Sequence, residues 1–170
     1  MKWLLIASIL LVVLYVGATI WKERKLPHSI SAMVYSLPEG GWRYLWTIWV
    51  WAITLLLAPA LFETIDEDFG VVAHCFATSL MFVGAMPLVK DDSNKSHEVM
   101  AILAGVFSQA CVGIICPGWF LLWIAFAVIP FMDRKWYVPG LPMWMINSRL
   151  FLIEAVCAVT VYGSIITHLN

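Results

Sequence analysis

Charge is what this sequence has least of. Of its 170 residues 12% are charged, ten Lys and Arg against eleven Asp and Glu, where a soluble domain carries about a quarter. So little charge excludes a disordered tail, which stays unfolded by being polar and charged. A net charge of −1 and a pI of about 6.4 exclude a basic surface for nucleic acid. Cysteine is scarce as well. Cys75, Cys111, Cys116 and Cys157 have no metal-finger spacing, and no disulfide scaffold is expected from them. The chain also lacks HExxH, a long linker, a low-complexity tract and a visible internal repeat.

What is present is apolar: 62% hydrophobic and 14% aromatic residues, with a mean hydropathy of +0.89. A chain this short has too much surface for its volume to bury that fraction in water. A soluble enzyme is therefore excluded, and the solvent is lipid.

Uncharged runs long enough to cross a bilayer need about 20 residues. Trp3–Trp21, Tyr44–Phe62 and Phe69–Val89 each qualify, as does Leu150–Leu169 with one carboxylate, Glu154. Val99–Met132 has no formal charge and is too long for one helix crossing a core of ~30 Å. Pro117-Gly118 divides it, giving spans Val99–Cys116 and Trp119–Met132, the latter running on to Tyr137. The expected fold is all-α: one transmembrane domain over residues 1–170, a six-helix bundle.

The basic residues orient it. Lys22, Arg24, Lys25, Arg43, Lys90, Lys95, Arg134, Lys135 and Arg149 fall on alternate loops, leaving Lys2 alone opposite. By the positive-inside rule both termini face away from the cytoplasm. Lys2 and Val16-Gly17-Ala18 imitate a secretory signal. The basic cluster just beyond reads instead as a retained signal-anchor with its N-terminus outside. Trp3, Trp21, Trp42, Trp119 and Trp136 mark span ends as an aromatic belt does. Trp42, Trp46 and Trp49 share one helical face, a packing or lipid-facing stripe, or an aromatic site for a cofactor or sterol.

In lipid, helices associate through small residues and interhelical hydrogen bonds. His97, Ala101, Gly105, Gln109 and Gly113 recur every four residues in span four, flanked by Ala104 and Ser108, and predict the central packing face. Ala73, Ala77, Gly84 and Ala85 do the same for span three, and Glu154, Ala158 and Tyr162 for span six.

Ionisable groups inside a membrane are expensive, so each is a functional candidate. Glu154 lies about 8 Å inside the cytoplasmic end of span six, five residues past Arg149. The same end gathers His28, Ser29, Ser31, Tyr35, Asp91, Asp92, His97 and Glu98. Zinc takes His, Cys, Asp and Glu ligands, so His28, His97, Asp91 and Asp92 are the metal candidates. The catalytic candidates are His97, Asp92, Ser31 and Glu154. The bland alternative is structural: Ser96 caps a helix, Glu98 faces its dipole, and Asp91 and Asp92 solvate a loop. Outside, Glu63, Asp66, Glu67 and Asp68 form a carboxylate run without the spaced calcium-loop pattern. His74 is expected as a core histidine bonded to a neighbour.

Between Pro27 and Pro38, Ile30, Met33, Val34 and Leu37 have the spacing of a short amphipathic helix lying in the cytoplasmic interface. Pro139, Pro142 and Trp144-Met145-Ile146 make a second interfacial patch. Together the two would roof the inner mouth of the bundle.

Pro27-His28-Ser29-Ile30-Ser31 with Tyr35, then Val83-Gly84-Ala85-Met86-Pro87, then His97 ahead of Ala101 and Gly105, carry a likeness over roughly residues 20–115. There the chain resembles small uncharacterised polytopic membrane proteins of bacteriophages and their bacterial hosts, which implies a multi-pass protein of the bacterial inner membrane. More remotely, the inner Ser, Asp and His positions are similar to those of the CREST superfamily of membrane hydrolases. That family has seven spans, a zinc-bound His set and paired His in its last span. Here six spans are expected, and the last carries only His168, on the outer side.

Three functions fit. The first is a non-enzymatic protein acting through other membrane proteins, self-association or the lipid bilayer, favoured because no catalytic set is complete. The second is a small transporter or proton-coupled channel using Glu154, Gln109 and His97. The third is a zinc-dependent lipid hydrolase with His97, His28 and Asp91 or Asp92 as ligands and Ser31 orienting. In it, metal-bound water would attack an amide or ester.

Overall fold

The computed structural model describes residues 1–37, 41, 43–86, 95–126 and 148–170. All its regular elements are helical. In chain order they are α1 (Lys2–Glu23), a 3-10 helix (Ser31–Ser36), α2 (Arg43–Thr64), a 3-10 turn (Glu67–Phe69) and α3 (Gly70–Ala85). Then come α4 (Lys95–Ile115), a second 3-10 turn (Pro117–Phe120), α5 (Leu121–Phe126) and α6 (Arg149–Leu169). Five segments are long and apolar enough to cross a membrane: Lys2–Glu23, Arg43–Thr64, Glu67–Ala85, Ser96–Ile115 and Arg149–Leu169. The chain thus has the build of a multi-pass membrane protein. Of the fifth expected span only α5 and the turn before it are described; its remainder, the second interfacial patch, Trp42, Asp91 and Asp92 lie outside the described residues.

Neighbouring helices run antiparallel, and polar side chains donating to backbone carbonyls set the pairing. Ser8 Oγ donates to the Ile53 carbonyl at 3.1 Å and Trp49 Nε1 to that of Leu11 at 2.9 Å, joining α1 to α2. Thr47 Oγ1 donates to the Gly84 carbonyl at 2.7 Å and Trp51 Nε1 to that of Met81 at 2.9 Å, joining α2 to α3. The Ser8 and Tyr162 hydroxyls are 2.6 Å apart, and Lys2 Nζ donates to Asn170 Oδ1 at 3.4 Å, so α6 runs back along α1. One end of the bundle therefore carries Lys22, Arg24, Lys25, Arg43 and Arg149. At this basic end α1 stops on Arg24, whose φ of 55° is left-handed and whose guanidinium sits 5.6 Å from the Trp21 ring.

The interior forms two clusters. Towards the far end, Leu57, Ala60, Leu61, Ala73, Phe76, Cys111, Val112, Val161 and Ile165 meet. Towards the basic end, Met33, Val34, Trp46, Val50, Val83, Ala104 and Phe151 meet. Apolar residues such as Ile48, Leu55, Val71 and Ile124 remain exposed. That is costless against lipid tails.

Several expectations need correction. The segment after α1 is a 3-10 helix tucked into the bundle: Met33 and Val34 are 0% exposed, where an interfacial helix would turn them to lipid. A six-residue piece bounded by Pro27 and Pro38 lacks the length for a stable α-helix, and burial of its two apolar side chains decides its place. The α4 face is rotated by about a residue. Ala104, Ser108, Cys111 and Val112 are buried, whereas nothing among the described residues comes within 4 Å of a Cβ built on Gly105. In α3 the expected small residues do close a contact. A Cβ on Gly84 would meet Val50 Cβ at 2.9 Å, so α2 and α3 approach closely there. Ser96 lies inside α4, which starts at Lys95, and so does not cap it. Trp46 and Trp49 belong to a packing stripe, their rings 5.9 and 4.2 Å from that of Tyr15.

Candidate functional site

Two polar groupings lie within the bundle. The first is built on Glu154, in the second turn of α6 and half-buried. Its Oε2 accepts the backbone N–H groups of Ile30 and Ser31, the latter at 3.2 Å, and its Oε1 accepts the Ser31 hydroxyl at 2.9 Å. The Ser29 and Ser31 hydroxyls are 3.2 Å apart, and His28 acts electrostatically on the carboxylate. A second tie lies beside it. Phe151 N–H, at the start of α6 where no intrahelical carbonyl is on offer, donates to the His28 carbonyl at 2.9 Å. The carboxylate does for the 3-10 helix what an N-capping side chain does from within a chain: it accepts the orphan N–H groups of the first turn.

The second grouping centres on Gln109, halfway along α4. Its Nε2 donates to Ser108 Oγ and Thr160 Oγ1, both at 3.1 Å, and its Oε1 accepts from Trp123 Nε1 at 2.7 Å. Thr160 Oγ1 is also 3.3 Å from that oxygen, and the Cys157 thiol lies beside Ser108 and Gln109. Both amide protons and the carbonyl are thereby engaged. Trp123 brings α5 into the network. One turn earlier Trp119 Nε1 donates to Thr167 Oγ1 at 3.1 Å near the far end of α6, so α5 heads back towards the basic end.

Ser31, His28 and Glu154 are thus brought together, whereas Gln109 has separate partners. His97 sits in the first turn of α4, and its Nε2 is buried without a hydrogen-bond partner among the described residues. No group of three or more His, Cys, Asp or Glu that would hold a metal ion occurs among the described residues. Asp91 and Asp92, half of the proposed ligand set, lie outside them. His74 differs from its expected core position. It is exposed on α3, its ring 4.5 Å from that of Phe62, and Nδ1–H donates to the Gly70 carbonyl one turn back at 2.8 Å. Glu63, Asp66, Glu67 and Asp68 are exposed around the α2–α3 turn.

Thr160, Trp123 and the Tyr162–Ser8 pair carry more of the polar bonding than the sequence suggested. Their signal was their type: hydroxyls and an indole inside apolar runs must find partners. No family model, protein of curated function or solved structure matches the chain.

Proposed function

We propose that the chain is a small multi-pass membrane protein of non-enzymatic, interaction or structural type. Its intramembrane polar groups hold the bundle together, and its partners are the lipid bilayer and other membrane proteins or further copies of itself. One observation carries the reading. Both oxygens of Glu154 are occupied by donors of the 30–31 segment. Three donors take three of the roughly four acceptor positions of a carboxylate, which supports a structural role for it. The saturated amide of Gln109 argues the same way. Nine of the ten basic residues favour the orientation with both termini away from the cytoplasm.

The test is elemental analysis of purified protein together with proton flux in proteoliposomes. The reading expects no stoichiometric metal and no flux above empty vesicles. Stoichiometric zinc that disappears in His97→Ala would replace it with the metal-dependent lipid hydrolase. Proton flux abolished by Glu154→Gln would replace it with the proton-coupled channel.

A further inference from the structure

The 3-10 helix Ser31–Ser36 belongs to no spanning helix, yet it fills the middle of the basic end. Met33 and Val34 are 0% exposed and sit in a cluster to which all five long helices contribute, through Val16, Trp46, Val83, Ala104 and Phe151. The segment is held differently from the described spanning helices. A spanning helix secures its own backbone by i to i−4 bonds and its place by many turns of packing. This piece has six residues, about two turns at three residues each, and poorer 3-10 hydrogen bonds. Among the described side chains, its attachment gathers on Glu154, which takes the Ile30 and Ser31 N–H groups and the Ser31 hydroxyl.

Two buried nitrogens at the same end are left without partners among the described residues, Trp46 Nε1 and His97 Nε2. Trp46 is 1% exposed and packs in the same cluster as Met33 and Val34. His97 lies one turn before Ala101, which packs against that cluster. The segment is therefore apolar enough to seal the bundle, and its described side-chain attachment gathers on one carboxyl group that a single substitution removes.

We infer that Ser31–Ser36 is a removable plug in the basic end of the bundle, and that Glu154 is its latch. With the latch closed, Met33 and Val34 fill the space between the helices. With it open, the plug withdraws and the space around Trp46 becomes accessible from the basic side, while the rest of the bundle stays folded. The inference does not depend on the function proposed above.

Accessibility of a cysteine at the plug tests it. In the full chain in nanodiscs, Val34→Cys reports the plug, and Ser164→Cys, a near-isosteric change at a site 0% exposed in the other half of the bundle, reports the core. Labelling by a polar maleimide is read peptide by peptide, which separates these sites from the native thiols. Adding Glu154→Ala should speed labelling at position 34 by roughly tenfold or more, the effect of losing three hydrogen bonds on a local opening. Position 164 should stay protected. Glu154→Gln, which keeps an acceptor, should fall between the two and guards against a folding defect in the alanine variant. An unchanged rate at position 34 would overturn the inference, because apolar packing alone would then hold the segment. Equal deprotection of both positions would overturn it too, because Glu154 would then hold the whole bundle.

Discussion

Trp119 lies flat against Gly163, so close that a Cβ on the glycine would come within 2.5 Å of the indole. The contact sets where the chain turns after α4. Pro117 and Gly118 let it reverse, the indole fills the notch that Gly163 leaves in α6, and Nε1 donates to Thr167. Gly163→Ala should force the ring out and destabilise the protein by about 1–3 kcal/mol, the usual cost of overpacking. Thermal unfolding in detergent measures it. Combining Gly163→Ala with Trp119→Leu should cost less than the two changes summed, since the second removes what the first collides with.

Gly84 has a similar duty on the opposite side. Its missing side chain admits Val50, and its carbonyl accepts from Thr47. Gly84→Ala should push α2 and α3 apart, at about 1–3 kcal/mol. A Thr47→Val change on that background should cost little more, because the hydrogen bond is already stretched. Unfolding of the single and double variants decides this.

For Glu154 the ordering of variants matters more than any single value. Alanine leaves the Ile30 and Ser31 N–H groups without an acceptor, at about 1–3 kcal/mol for each buried group so orphaned. Glutamine retains one acceptor oxygen and should cost clearly less. Ser31→Ala removes one bond of the three and should cost least. Denaturant titration of all three in detergent checks the order, and Glu154→Gln as costly as alanine would refute it.

Gln109→Leu should cost about 1–2 kcal/mol, the range for interhelical hydrogen bonds in model membranes. It should also alter Trp123 emission, because the indole loses its acceptor at 2.7 Å. Thr160→Val added to it should be strongly sub-additive, both residues belonging to one network. Emission spectra and unfolding of the two singles and the double variant are the measurements.

Orientation is checked by reporters that mature only outside the cytoplasm, fused after Asn170 or within the turn after Thr64. Both should be active, and a reporter in the 22–27 segment should be silent. The reverse pattern would put the plug on the outside.

The sequence announced its long helices because uncharged runs have to be helical in lipid. Trp3–Trp21 became Lys2–Glu23, and Leu150–Leu169 became Arg149–Leu169. It was poorer at saying which face of each helix meets protein. Lipid and core are equally apolar, so Gly105 and Gly84 look alike in the sequence, yet among the described residues nothing comes within 4 Å of a Cβ on the first, and the second is wedged against Val50. Glu154 and Gln109 stood out as the polar residues of their spans. Their partners did not. The Ile30 N–H is backbone and leaves no mark in the sequence, and Trp123 could as well have been a belt residue. Met33 and Val34 showed the right spacing for a helix with an apolar face, but spacing cannot tell an interface from an interior.

The bonds of α6 bear on how the protein is made. The α1–α2 and α2–α3 pairings join helices adjacent in sequence, so each can form as soon as its second member has entered the bilayer. Nothing later is needed. α6 leaves the ribosome after the other described helices, and it holds Tyr162 for Ser8, Thr160 for Gln109 and Glu154 for Ser31. Until it arrives, Ser8, Gln109 and Ser31 each lack one of their partners, though the bonds of Ser8 to Ile53 and of Gln109 to Ser108 and Trp123 need nothing from α6. A chain that stops short of Arg149 keeps its first hairpins yet leaves the bonds to Tyr162, Thr160 and Glu154 unmade, which gives membrane quality control a chemical means of telling such copies from those that carry α6.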